Sequence, residues 1–143
     1  MSDKKTKTAS KKNDRNLQAA KGMRDIIGDN FYLYQGFFEK AAEIAHYYGF
    51  APIETPALEM EDLFSRGVGK NTDILEKEMY LLKTKGGDHL ALRPEGTAGI
   101  MRAYLENGMQ AWSQPVSLYY YGPFFRHDNP QKGRYRQFYQ FGL

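Results

Sequence analysis

The stretch that most constrains this chain is Phe31 to Tyr48, where Phe31, Tyr34, Phe38, Ala41, Ala45 and Tyr48 recur at steps of three and four. That spacing lines six apolar groups along one stripe of a helix. Asn30 reads as its N-cap, and Gly49 as the first residue past its end. A helix with a single apolar stripe is stable only against another layer, so the rest of the chain must supply one.

The remaining pattern predicts that layer as a sheet. Phe50 to Thr55 reads as a short strand, in which Pro52 points to an edge or an irregular pairing and which Pro56 ends. Leu58 to Phe64 reads as a helical turn or short helix, and Ser65 to Asp73 as a flexible loop. Met79 to Lys83 and His89 to Arg93 flank Thr84-Lys85-Gly86-Gly87-Asp88, a hairpin signal. Thr97 to Asn107 reads as a helix with Thr97 as N-cap and Gly108 beyond its end. Val116 to Arg126 and Arg134 to Leu143 read as antiparallel strands around a loop at 128–133. The predicted fold class is α+β, an antiparallel sheet flanked by helices, over residues 17–143. Leu143 falls in mid-strand with no turn residue or cap, so the sequence predicts a truncated, incomplete domain.

Charge separates the first residues from the rest. Residues 1–16 hold six basic and two acidic groups, a surplus larger than the +3 of the whole chain. The high isoelectric point therefore reports a basic tail, predicted to be disordered, and not a basic domain. There is no cysteine and only three histidines, which argues against a metal site. No run of about 18 apolar residues could span a membrane, and no apolar segment follows the charged start. A cytoplasmic location is the reading that fits.

Three segments could carry chemistry. Arg126-His127-Asp128-Asn129-Pro130-Gln131-Lys132-Gly133-Arg134-Tyr135-Arg136-Gln137 presents four cations (Arg126, Lys132, Arg134, Arg136) at a strand–loop–strand. A phosphate-rich ligand calls for guanidinium forks held on a rigid strand. The same segment also reads as an exposed charged hairpin. In Leu92-Arg93-Pro94-Glu95-Gly96-Thr97 a strand gives way to a helix. The Glu95 carboxylate there either complements the helix dipole or projects to bind an ammonium group. Lys21-Gly22-Met23-Arg24-Asp25 suggests only a turn and a local ion pair.

Together, these segments resemble the histidine–tRNA ligases, class II aminoacyl-tRNA synthetases. Lys21 to Asp25 looks like the family's opening signature. The helix 31–48 with Phe50 to Pro56 looks like class II motif 1, which normally forms a homodimer interface. Leu92 to Thr97, continuing to Arg102-Ala103, looks like the family's histidine-side segment. Gly122 to Gln140 looks like motif 2. The resemblance covers roughly residues 17–143.

It implies the class II catalytic fold and a two-step reaction. Histidine and ATP give histidyl-adenylate, with Mg²⁺ bridging the phosphates, and histidine then passes to its tRNA. Arg126 is implied to hold the α-phosphate, Asp128 to face the adenine, and Arg134 to reach ATP and the tRNA acceptor end. Class II enzymes generally carry glutamate where Asp128 stands, one methylene longer. Glu95, Thr97 and Gln140 are implied to line the histidine pocket. Motif 3, the later histidine-recognition segment and the anticodon-binding domain are not within these 143 residues.

The resemblance leaves one related alternative, the histidine-binding regulatory paralogue of ATP phosphoribosyltransferase. A regulator has no need of an intact ATP loop, whereas Arg126, Lys132, Arg134 and Arg136 are all present. A pure interaction module is the other alternative, and the unfinished strand argues against it.

Overall fold

A computed structural model describes residues 17–67 and 78–143. The basic tail 1–16 and the loop residues 68–73 lie outside the described residues.

Helix α1 spans Asp29–Tyr47, starting before Asn30. Asn30 is not the cap: Gly28, at φ 58, occupies that position, and no side chain bonds the free N–H groups there. Only glycine reaches that φ without cost, so the turn at Gly28 sets the entry, and Asp29 complements the dipole in the first turn. The other end is as the sequence predicts. Gly49 sits at φ 81, its N–H bonds to the His46 carbonyl, and the Phe50 N–H bonds to the Ala45 carbonyl. These two bonds are the Schellman ending of a helix.

The stripe of α1 lies across an aromatic sheet face. Phe38 stacks on Tyr121 at 5.2 Å between ring centroids, and Tyr34 meets Tyr139 edge-on at 5.8 Å. The Tyr119 hydroxyl bonds His46 Nε2 at 3.2 Å. The stripe is narrower than its periodicity suggests, because Phe31 and Tyr48 at its two ends are exposed.

Two three-stranded sheets make up the rest. In one, β1 (Ala51–Pro52) borders β5 (Leu118–Phe125), which pairs with β6 (Gln137–Gly142). β5 and β6 are antiparallel, as expected, from Tyr120↔Gly142 to Phe125↔Gln137. β1 instead runs parallel to β5. The intervening hairpin and helix form a crossover long enough to return the chain in the same direction. Only residues 51–52 of the expected strand pair, with Pro52 at the sheet edge between bonds from the Ala51 N–H to the Ser117 carbonyl and from the Ile53 N–H to the Tyr119 carbonyl.

In the second sheet, β4 (His89–Leu92) lies between β2 (Leu58–Met60) and β3 (Tyr80–Lys83), all antiparallel. The β3–β4 hairpin turns at Gly87, φ 98. The reading of Leu58 to Phe64 as helical is half wrong. Residues 58–60 are a strand, and α2 (Glu61–Gly67) begins only afterwards. The central residue of β2, Glu59, is the buried one, so the strand carries its charge inward. Phe64, Met79 and Ala91 form the core over this sheet, joined by Leu63 and Ala98.

Helix α3 (Thr97–Glu106) follows β4 and ends at Gly108, φ 64. Its cap is Gly96, not Thr97. No helix among the described residues is long and apolar enough to cross a membrane.

Candidate functional site

The face of β5–β6 turned away from α1 carries Tyr120, Phe124, Phe138 and Gln140, because alternate residues share a face. Arg126 continues this row past the end of β5. Its Nε donates to the Pro94 carbonyl at 2.9 Å, and its guanidinium lies 5.2 Å from the Phe138 ring centre. One nitrogen thus anchors the fork, leaving both terminal nitrogens for a ligand. Arg126 lines a cavity of about 350 Å³ with Asp128, Gly133, Arg134, Tyr135 and Phe138.

Asp128 and Arg134 meet each other in that cavity. Asp128 Oδ2 accepts from Arg134 Nε at 2.8 Å, and Oδ1 accepts from the Asn129 N–H at 2.7 Å. Arg134 is otherwise open to solvent, while Asp128 is largely enclosed. The loop is therefore pinned at Asp128 and offers an exposed cation at Arg134.

Glu95 lies at the N-terminus of α3. Its carboxylate accepts from the Thr97 N–H at 2.5 Å and from the Ala98 N–H at 2.8 Å. It thereby does the capping the sequence assigned to Thr97, and the dipole complement is the role its contacts show. Thr97 is exposed and, with Tyr120, Tyr104 and Leu118, lines a second cavity of about 500 Å³. Gln140 Nε2 donates to the Tyr120 hydroxyl at 2.8 Å. Burial first, then the nearby Glu95 charge, holds the Tyr120 hydroxyl above its usual pKa, so it stays a neutral donor and acceptor.

Pro94 links the two groups of residues, since its carbonyl anchors Arg126 while the next residue is Glu95. The six sequence-predicted residues thus form two neighbouring clusters. One is cationic, with Arg126, Asp128 and Arg134, and the other is polar and aromatic, with Glu95, Thr97 and Gln140 around Tyr120.

Sequence reasoning missed Tyr120 and Arg93. The Tyr120 ring fills the gap between two backbones: a Cβ on Gly96 would stand 2.5 Å from it, and one on Gly142 would meet the ring as well. Gly96→Ala is therefore expected to cost about 1–3 kcal/mol through overpacking. Urea unfolding measures this, and a change under ~0.5 kcal/mol would mean the ring yields. Arg93 is 6% exposed. Its Nε donates to the Pro123 carbonyl at 3.0 Å and its Nη1 to the Thr55 carbonyl at 2.7 Å. Both partners are distant in sequence, so only the Arg-Pro-Glu-Gly-Thr stretch itself could have drawn attention to it.

Comparison with known proteins places the chain in a family. The model of the histidyl-tRNA synthetase family matches residues 22–143. The chain is 51% identical over 127 residues to a histidine–tRNA ligase of Desulforudis audaxviator, and 49% identical over 127 residues to one of Hydrogenovibrio crunogenus. Each alignment covers 89% of this chain and 30% of the relative, so the chain spans about a third of the length of the curated relatives it matches. A crystal structure of apo S. aureus histidyl-tRNA synthetase superposes with a TM-score of 0.72 at 36% identity, covering 87% of this chain and 27% of that one.

Proposed function

The chain belongs to the histidyl-tRNA synthetase family, and from that premise we propose that it carries the ATP- and histidine-binding part of a ligase that joins histidine to its tRNA. The reaction passes through histidyl-adenylate. Residues 17–143 then form the N-terminal part of a class II catalytic domain, and the chain spans about a third of the relatives' length. Curated relatives at about half identity are ligases, which does not favour the regulatory paralogue.

The observation that carries the proposal is the anchored, half-free fork of Arg126 one residue-contact away from Glu95. In the adenylation step the histidine carboxylate attacks the α-phosphorus and pyrophosphate leaves. Negative charge grows on the α-phosphate oxygens, and a preorganised guanidinium stabilises it without reorganising. Asp128 faces the adenine, held by Arg134 and the Asn129 N–H. Arg134 reaches ATP with its terminal nitrogens and later meets the tRNA acceptor end. Glu95 and Thr97 receive the histidine ammonium and carboxylate, and Gln140 borders the same pocket through Tyr120. No side chain acts as a covalent nucleophile, so positioning and charge stabilisation supply the rate. Mg²⁺ arrives on the phosphates. Among the described residues no group of three His, Cys, Asp or Glu could hold a metal.

The protein works as a homodimer through α1 and the segment that ends at Pro56. Tyr32, Leu33, Phe37 and Tyr47 support this, being large apolar residues that are mostly exposed on α1. A helix apolar on more than one face is normally covered on each. The compartment is the cytoplasm, where tRNA charging serves translation.

Histidine-dependent pyrophosphate exchange by the complete ligase tests the reading. Glu95→Gln is expected to raise the histidine KM by roughly tenfold to a hundredfold, the effect of losing one charge-assisted hydrogen bond. The ATP KM should move by less than about twofold, because Arg126 hangs from the Pro94 backbone and not from Glu95. Equal rises in both would remove Glu95 from the histidine pocket.

A further inference from the structure

The segment Lys21 to Arg24 lies outside both clusters, yet it is bound to the strand–loop–strand that carries the cations. The Arg136 N–H donates to the Gly22 carbonyl at 2.7 Å. Gly22 sits at φ +81, and a Cβ there would stand 2.8 Å from Arg136 Cγ, so the strap lies directly on the Arg136 stem. Arg24 lies over the Tyr135 ring at 4.3 Å, and its fork donates to the Tyr135 hydroxyl at 3.1 Å and the Tyr34 hydroxyl at 2.9 Å.

Arg136 passes this hold on to the site. Its carbonyl accepts from the Arg126 N–H at 2.9 Å, and its Nε donates to the Asp128 carbonyl at 2.9 Å. One residue therefore connects the strap to the backbone of Arg126 and to the start of the loop. Arg24 adds a second tie, from α1 through Tyr34 to the return limb of the loop at Tyr135.

We propose that residues 21–24 are a strap that fixes the nucleotide loop 127–135 against α1, with Gly22 and Arg24 as positioning residues for ATP. This rests on the ligase reading only in naming ATP as the ligand. The strap touches neither Glu95 nor Gln140, so it sets the phosphate side and leaves the histidine side alone. Because Tyr34 belongs to α1, the strap also ties the loop to the helix proposed to meet the second subunit.

Arg24→Met in the complete ligase removes the fork and keeps the stem. The ATP KM should rise about tenfold, as for one lost charged hydrogen-bond set, with the histidine KM within about twofold. Trypsin cleavage after Lys132 and Arg134 should quicken several-fold without ATP, and saturating ATP should suppress the difference. Arg24→Lys should recover only part of either effect, because an ammonium cannot bridge two hydroxyls as a planar fork does. Gly22→Ala should act in the same direction. An unchanged cleavage rate in Arg24→Met overturns the strap. So does a parallel rise of both KM values, which would mean general loosening. If the wild-type protein shows no histidine-dependent exchange, the ligase reading fails, and the cleavage rates alone decide the strap.

Discussion

Arg93→Met is expected to destabilise the folded protein by about 2–5 kcal/mol, the cost of leaving two hydrogen-bonded carbonyls without their donor at about 1–3 kcal/mol each. Arg93 joins the two sheets. Its backbone N–H bonds the Ala57 carbonyl and its own carbonyl accepts from the Phe125 N–H. Its side chain bonds Pro123 and Thr55 and lies 4.6 Å from the Phe124 ring centre. Methionine fills similar space but withdraws the donor from the buried Thr55 carbonyl and the half-buried Pro123 carbonyl. Burial lowers the guanidinium's pKa from its usual value, while the Glu54 and Glu59 charges raise it. Glu59 is itself buried and bonds Arg102 Nη2 at 2.7 Å, so losing Arg93 also removes one of two cations near that carboxylate. Arg93→Lys should recover less than half, since one ammonium cannot serve Thr55 and Pro123 while covering Phe124. Urea unfolding of the complete protein measures both variants. A loss under ~1 kcal/mol for Arg93→Met would show that the two sheets are held by other contacts.

This linkage is also where the sequence was least legible. α1 and the β3–β4 hairpin could be read because their signals are local, in the three–four stripe closed by Gly49 and in the Gly86-Gly87 turn. β2 could not, because its buried residue is Glu59, and a strand whose charge faces inward breaks the alternation rule. Capping propensity points to Asn30 and Thr97 at the starts of α1 and α3, and neither side chain caps its helix. Gly28 wins at the first through its positive φ, and the Glu95 carboxylate serves the second from the residue before the cap. On the candidate site, Arg126 and its neighbours stood out as four cations in one short segment. Tyr120 and Arg93 have no such local signature, since their roles come from residues about 20 to 40 positions away. The opening Lys21 to Asp25 segment looked like a turn for the same reason: its partner, Arg136, lies 115 residues from Lys21.

Arg126→Ala is expected to lower the rate of adenylate formation by about 10²–10³, the worth of one preorganised charge contact to a transition state, roughly 2.7–4 kcal/mol. The geometry sets why the loss should fall on the rate. Arg126 is held before any ligand arrives, by Pro94 at one nitrogen and by the Phe138 face, so its terminal nitrogens cost no reorganisation when charge develops. Lysine should not replace it, because a single ammonium cannot anchor on Pro94 and face a phosphate at once. Stability should fall by only about 1–3 kcal/mol, the cost of the Pro94 carbonyl left without its donor, since the Arg126 N–H keeps its bond to the Arg136 carbonyl whatever the side chain. Steady-state histidine-dependent pyrophosphate exchange by the complete ligase reads the step, with kcat falling in step with kcat/KM and the histidine KM nearly constant. A variant that exchanges at a near-normal rate would take Arg126 out of the phosphate site. The strand–loop–strand would then be the exposed charged hairpin that its composition also allows.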